Sequence, residues 1–251
     1  MNHIKRISQM LFFLLVVFSS VSWAVDIQNQ FQNANQLYRD GKYVDAAPIY
    51  EAIAKERPSS EVYYNLGNTY LKDKKIGLAI LNYERALRLN PRDSDILANL
   101  VYCNHLIEYK IEDKRNWYVR TLTEFLSFFT REECWILFAG AYFIFIVGFF
   151  ISLLVKRRSL FGKSGTLAFG FLLLCASPAL LQQSDLGVGH QAVVTGQQAE
   201  VRYGPTTSDR LAFRLVEGLK VSIKDEKQEW YRIALNDGQT GWALQSQVTA
   251  I

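Results

Sequence analysis

Apolar positions fall into three patterns along the chain. Between residues 26 and 105 Tyr, Leu and Ala recur three or four apart, the spacing of helices packed on one face. From Trp135 to Val155 the run carries no charge, and from Leu160 to Leu181 only Lys163 interrupts it. Each of these two segments reaches the roughly 20 residues that a helix needs to cross a hydrocarbon core. After Asp185 the pattern changes to short alternating runs broken by Gly, Asp and Asn, the pattern of strands and tight turns.

A shorter apolar block, Leu11 to Phe18, follows Lys5 and Arg6 and precedes Ser22-Trp23-Ala24. A positive start, a short apolar core and small residues at Ser22 and Ala24 predict a secretory signal peptide over 1–24, cleaved after Ala24, with an uncleaved anchor as the alternative. The long segments 135–155 and 160–181 predict a transmembrane hairpin; a buried soluble helix pair is the alternative. Lys156, Arg157 and Arg158 lie in the loop 156–159, with Lys163 just beyond, and basic residues in a short loop mark the cytoplasmic side. Both ends of the hairpin then face the exported side. Ahead of it, within a membrane-proximal stretch 106–134, aromatic and apolar residues Trp117, Tyr118, Leu122, Phe125, Leu126, Phe128 and Phe129 interleave with Arg120 and Glu124. This predicts an amphipathic helix at a lipid surface. Thr130 with Glu133 forms a capping box before the first span.

Residues 25–105 repeat with a period near 34. Ala46, Tyr50 and Pro58 recur as Ala79, Tyr83 and Pro91, and Asn65-Leu66 recurs as Asn99-Leu100. The second unit reads Tyr63-x-x-Leu66-Gly67-x-x-Tyr70, then Ala79-x-x-x-Tyr83 and Ala86, and it resembles a tetratricopeptide repeat. Gly67, Ala79 and Ala86 fall where two helices approach closely, with Tyr63, Leu66, Tyr70 and Tyr83 filling the seam. Pro58 and Pro91 end the second helix of each unit. Asp40-Gly41 marks the turn of the looser first unit, and Asp93 caps a closing helix carrying Ile96, Leu97 and Leu100. Two units and a closing helix are few for a stacked array, so support from the membrane-proximal segment or a partner is expected. Asn35, Asn65, Asn68 and Asn99 fall at first-helix positions that tend to face the inner groove of such arrays. An amide both donates to and accepts from a peptide backbone, which makes these four candidate partner-binding residues. The alternative is that they are solvated polar positions.

In region 182–251 strands are predicted at Ala192–Thr195, Ala199–Tyr203, Leu219–Lys224, Trp230–Leu235 and Thr240–Leu244. Asn236-Asp237-Gly238 forms a hairpin turn between the last two. Five short strands imply a small barrel. Val201-Arg202-x-Gly204-Pro205, Glu217-Gly218, Trp230-Tyr231-Arg232-Ile233 and Gly238-x-x-Gly241-Trp242-Ala243 resemble a bacterial SH3-like domain. Tyr203, Trp230, Tyr231 and Trp242 are its candidate groove residues for glycan or peptide stacking. Strand alternation sends at least half of them into the core instead.

Composition alters this picture in two places. The chain has 251 residues, 28 Lys and Arg against 24 Asp and Glu, and a net charge of +4, a balance that on its own would raise nucleic-acid binding. Six of the bases, Lys5, Arg6, Lys156, Arg157, Arg158 and Lys163, belong to the signal peptide and the hairpin loop. The 22 that remain oppose 24 acids, so the exported part is close to neutral at −2. The basic excess is a topology signal, and no nucleic-acid partner is expected. The three cysteines, Cys103, Cys134 and Cys175, are widely spaced fillers; oxidation of Cys134 is the alternative for that residue. His3, His105 and His190 are far apart, and nucleophile elbows, phosphate loops and metal-ligand spacings are absent from the sequence. No enzyme activity, cofactor or metal is expected.

The sequence therefore predicts a multidomain membrane protein: an all-α repeat domain, a two-helix transmembrane hairpin and a small all-β SH3-like barrel, with both soluble parts periplasmic. That order of parts resembles BatE proteins of aerotolerance-type operons. The resemblance implies an inner-membrane scaffold acting with membrane-anchored von Willebrand A-domain proteins and a MoxR-type ATPase system in envelope or oxidative-stress tolerance. Peptidoglycan binding through the SH3-like domain is the alternative.

Overall fold

The computed structural model describes residues 26–107, 116–154 and 190–251. The signal peptide, the loop 156–159 and the second span 160–181 lie outside the described residues, as do 108–115 and 182–189.

Five helices build the repeat region: α1 (residues 26–39), α2 (Tyr43–Glu56), α3 (Ser60–Lys72), α4 (Ile76–Leu89) and α5 (Ser94–Leu106). Their ends follow from local chemistry. Ser59 accepts the Val62 N–H at 3.2 Å to start α3, and Asp93 accepts those of Asp95 and Ile96 at 3.0 and 3.2 Å to start α5. Helices α2 and α4 stop at Glu56 and Leu89, just ahead of Pro58 and Pro91. Gly41, at φ +75°, turns the chain from α1 into α2 in a conformation that favours glycine. Gly67 is the close-approach point: a Cβ there would lie 2.7 Å from the Tyr83 ring. Ala46, Tyr50, Leu66, Ala79, Tyr83 and Ala86 are buried together, and Ile96, Leu100 and Cys103 of α5 extend that core. Leu97, expected in the same seam, is turned outward at 42% exposure, because the step of about 100° from Ile96 carries it past the contact line.

The C-terminal region is one antiparallel sheet of seven strands, β1 (Gln191–Val194), β2 (Gln198–Arg202), β3 (Leu211–Val216), β4 (Lys220–Lys227), β5 (Trp230–Ala234), β6 (Thr240–Leu244) and β7 (Val248–Ala250), in the order β3-β2-β6-β5-β4-β1-β7. The five predicted strands are present, and β3 and β7 add to them. Leu211-Ala-Phe-Arg-Leu-Val lacks clean alternation, and β7 has only three residues, so neither gives a strong period-two signal. Asn236-Asp237-Gly238 makes the predicted turn, with Gly238 at φ +95° and the Leu235 N–H donating to the Gln239 carbonyl at 2.9 Å.

The two regions pack on each other. Val193 of β1 is fully buried in the helical core, and Ile107 touches both cores. Four polar links frame that seam. Gly77 N–H donates to Glu217 Oε1 at 2.7 Å, Lys220 pairs with Glu84 at 2.8 Å, and Arg85 and Arg88 each donate at 2.7 Å, to the carbonyls of Ala250 and Ile251. The Gly77 bond has a specific cause. Helix α4 has no acid in its first turn and no side-chain cap from Lys75, so its orphan N–H groups lack a local acceptor. Glu217, from the turn after β3, supplies one.

Helix α6 (Trp117–Ser127) leaves Trp117, Tyr118 and Phe125 exposed, and α7 (Arg131–Leu154) follows. The Thr130–Glu133 capping box forms in full, with the Glu133 N–H donating to Thr130 Oγ1 at 3.2 Å and the Thr130 N–H donating to Glu133 Oε2 at 3.0 Å. The Thr130 backbone N–H, with Arg92 beside it, holds the Glu133 carboxyl below its ordinary range. Arg92 pairs with Glu133 and lies 5.2 Å from the Phe128 ring centroid, so the loop before α5 is tied to the start of α7. Among the described residues no helix is long and apolar enough to cross a membrane.

Candidate functional site

Repeating the helix pair repeats a polar constellation. Asn35 on α1 accepts the Tyr50 O–H of α2 at 2.5 Å, and Asn68 on α3 accepts the Tyr83 O–H of α4 at 2.6 Å; the two partners are 15 residues apart in both cases. Each acceptor also receives an amide from the next first-helix position. Asn65 Nδ2 lies 3.5 Å from Asn35 Oδ1, and Asn99 Nδ2 lies 2.9 Å from Asn68 Oδ1 and 3.4 Å from the Tyr64 hydroxyl. The result is two rungs of one ladder, Asn35–Tyr50–Asn65 and Asn68–Tyr83–Asn99.

The rungs divide the four asparagines into two roles. Asn35 and Asn68 spend their oxygens on phenols that are 1% and 0% exposed and have no water to turn to. They act as anchors of the fold. Asn65 and Asn99 are half-buried, and among the described residues no partner meets either Oδ1. Those two oxygens, one repeat apart, are hydrogen-bond acceptors on one face of the ladder. Burial pushes the Tyr50 phenol up to about 12 and raises that of Tyr83 as well, so both keep the proton they donate. Tyr50 and Tyr83, expected as repeat positions in the helix seam, also donate to the asparagines. The signal was present in the equal Asn-to-Tyr offset of the two units.

The four barrel aromatics do not form one groove. Trp230 is buried at 6% exposure, and Tyr231, opposite the buried Ala243, packs on the barrel core. Trp242 is half-buried on the other face, in register with Arg202 of β2 on one side and Arg232 of β5 on the other. Tyr203 is 68% exposed at the head of a loop that Asp209 braces. Thr206 N–H donates to Asp209 Oδ2 at 2.9 Å, and Arg202 Nη1 to the Asp209 carbonyl at 2.8 Å. A Cβ on Gly204 would lie 2.4 Å from that carboxylate, which is why the loop needs glycine there. Two of the four aromatics, Tyr203 and Trp242, therefore remain for a surface ligand.

Burial pushes the Cys103 thiol up to about 11 and the Cys134 thiol above its ordinary value, which disfavours the reactive thiolate at both. Among the described residues no group of three or more His, Cys, Asp or Glu is placed to hold a metal.

Comparison with known proteins reaches one stretch of each region. No curated protein matches the chain. Residues 60–93 match the tetratricopeptide repeat family, and residues 195–249 match the bacterial SH3 domain family. The first points to protein–protein interaction and the second to peptidoglycan binding.

Proposed function

We propose that the chain is a non-enzymatic scaffold that gathers protein partners on the periplasmic face of a bacterial inner membrane. Its partners include membrane-anchored von Willebrand A-domain proteins, and its role lies in envelope or oxidative-stress tolerance, as the resemblance to BatE proteins implies. The observation that carries the scaffold reading is the asparagine ladder, which presents Asn65 and Asn99 as paired backbone readers on rigid, tyrosine-anchored helices. Membrane attachment is supported by the charge-free run over 135–155, by its partner over 160–181 and by the exposed Ile136, Phe143 and Ile144 of α7. On this reading lipid is a partner, and a signal peptide over 1–24 would carry both parts across the inner membrane.

The combined substitution Asn65→Ala and Asn99→Ala tests the reading. It removes no acceptor from a buried phenol, so stability should stay within about 1 kcal/mol of the parent. Co-purification of an A-domain partner with the full chain should fall at least tenfold. Retention of the partner at the parental level would make the two amides ordinary solvated positions.

The exposed Tyr203 and, separately, the half-buried Trp242 in register with Arg202 and Arg232 favour a second reading, an envelope sensor or anchor that stacks on peptidoglycan. In that case Trp242→Ala abolishes sedimentation with purified sacculi and leaves A-domain capture intact.

A further inference from the structure

The ladder sets the spacing of its acceptors as well as their chemistry. Asn65 of α3 and Asn99 of α5 hold the same position in successive repeats, and their helices touch where Asn99 Nδ2 meets Asn68 Oδ1 at 2.9 Å. Helices packed side by side lie about 8–10 Å apart, so equivalent side chains on them are separated by about that distance. Both Oδ1 atoms reach solvent: among the described residues, the fully buried side-chain atom left without a hydrogen-bond partner belongs to Asn82 of α4 and to neither of these two. An extended strand turns its N–H groups to one side every second residue, about 7 Å apart, or every fourth, about 13 Å, and neither fits. A polyproline II chain rises about 3.1 Å per residue with three residues per turn, so its N–H groups recur on one side at about 9.3 Å, inside the interval.

A donor lies between the two acceptors. Tyr64 precedes Asn65 on α3, and its hydroxyl lies 3.4 Å from Asn99 Nδ2, so the ring spans the interval from one asparagine to the other. The hydroxyl accepts in that contact, and among the described residues no acceptor meets its own proton. On α5 the residue one repeat on from Tyr64 is Ala98, small and exposed, which leaves room on that side of the ring. The face therefore offers acceptor, donor and acceptor in turn, over a half-buried aromatic ring. Polyproline II backbone carbonyls have no internal partner and need a donor. A proline placed between two N–H-bearing residues has such a carbonyl, has no N–H to leave unmet, and packs its ring on an aromatic face.

We propose that the ladder takes a proline-rich segment of a partner polypeptide in polyproline II conformation, with N–H-bearing residues three apart on Asn65 and Asn99 and a proline over Tyr64. This deepens the scaffold reading and rests on it, since it starts from Asn65 and Asn99 as readers of a partner's backbone.

The probe is the capped heptapeptide Ala-Pro-Pro-Ala-Pro-Pro-Ala, titrated calorimetrically into the full chain in lipid nanodiscs. It should bind the parent, and an all-proline heptapeptide, which keeps the conformation and has no N–H, should bind at least tenfold more weakly to the same unaltered protein. A heptapeptide with alanine at every second position keeps N–H groups but loses the three-residue spacing, and should also bind more weakly. Tyr64→Phe, which keeps the ring and removes the donor, should weaken the first peptide about threefold. Equal affinity for the three peptides, an unchanged affinity in Tyr64→Phe, or no binding of the first peptide at millimolar concentration would each overturn the assignment. Capture of an A-domain partner by the same samples separates this failure from that of the scaffold reading. Capture that depends on Asn65 and Asn99 without peptide binding would remove the polyproline II segment alone, whereas peptide binding with capture indifferent to both residues would support the segment and remove the A-domain partner.

Discussion

Tyr50 and Tyr83 stand at the centre of the residue-scale account, because each fills a helix seam with its ring and fixes an asparagine with its hydroxyl. Both hydroxyls donate, so the folded state requires the neutral phenol. A group whose folded pKa is raised contributes stability below its unfolded value, near 10 for tyrosine, and loses it as pH rises through the folded value. For Tyr50 that window runs from about 10 to about 12. Helix content followed by circular dichroism should hold a constant melting temperature up to pH 9 and fall above pH 10. Full ionisation of Tyr50 should remove on the order of 3 kcal/mol. Tyr50→Phe should flatten the alkaline slope; an unchanged slope would place the alkaline transition elsewhere. That the asparagines share one side of the first helices was legible from sequence, since helical spacing fixes a face. Their division into anchors and readers was not, because it depends on contacts between helices 15 and about 30 residues apart.

At the scale of elements, most ends were readable and the joints were not. Asp93, Pro58, Pro91 and the Thr130–Glu133 box act locally, so the sequence displays them. By contrast, the cap of α4 comes from Glu217, 140 residues away. The sequence hinted at it only by leaving the first turn of α4 without an acid. Gly77 carries the other half of that joint. A Cβ there would lie 2.5 Å from the Val194 carbonyl and 2.7 Å from the Glu217 side chain, so alanine, although a better helix former, cannot be accommodated without separating helix from strand. Gly77→Ala should cost about 1–3 kcal/mol and Glu217→Ala about 1 kcal/mol. In the parent, helix signal and tryptophan fluorescence should melt together, and in Gly77→Ala they should split into two transitions. A single unshifted transition in that variant would show that the seam does not couple the two parts. The strand count was under-read for a related reason: β7 is only three residues long and pairs with β1, the first strand of the sheet.

The whole molecule joins a tetratricopeptide-like helical region to an SH3-like sheet through a shared core. The apolar part of that contact was not legible, because Val193, Ile107 and Ile251 look like ordinary strand or loop residues until the two cores meet. The barrel caps α4 through Glu217, and Arg92 ties the loop before α5 to α7. The ladder then sits at a defined place relative to whatever α7 enters. The scaffold reading requires protein density over Asn65 and Asn99 in the native setting. The most direct measurement is site-specific photocrosslinking in intact membranes, with the reactive residue placed at Asn65 and a control at the exposed Glu56. The account predicts adducts from position 65 that contain A-domain membrane proteins and are at least tenfold richer than those from position 56. Equal yields from the two positions, or adducts with wall glycan alone, would contradict it.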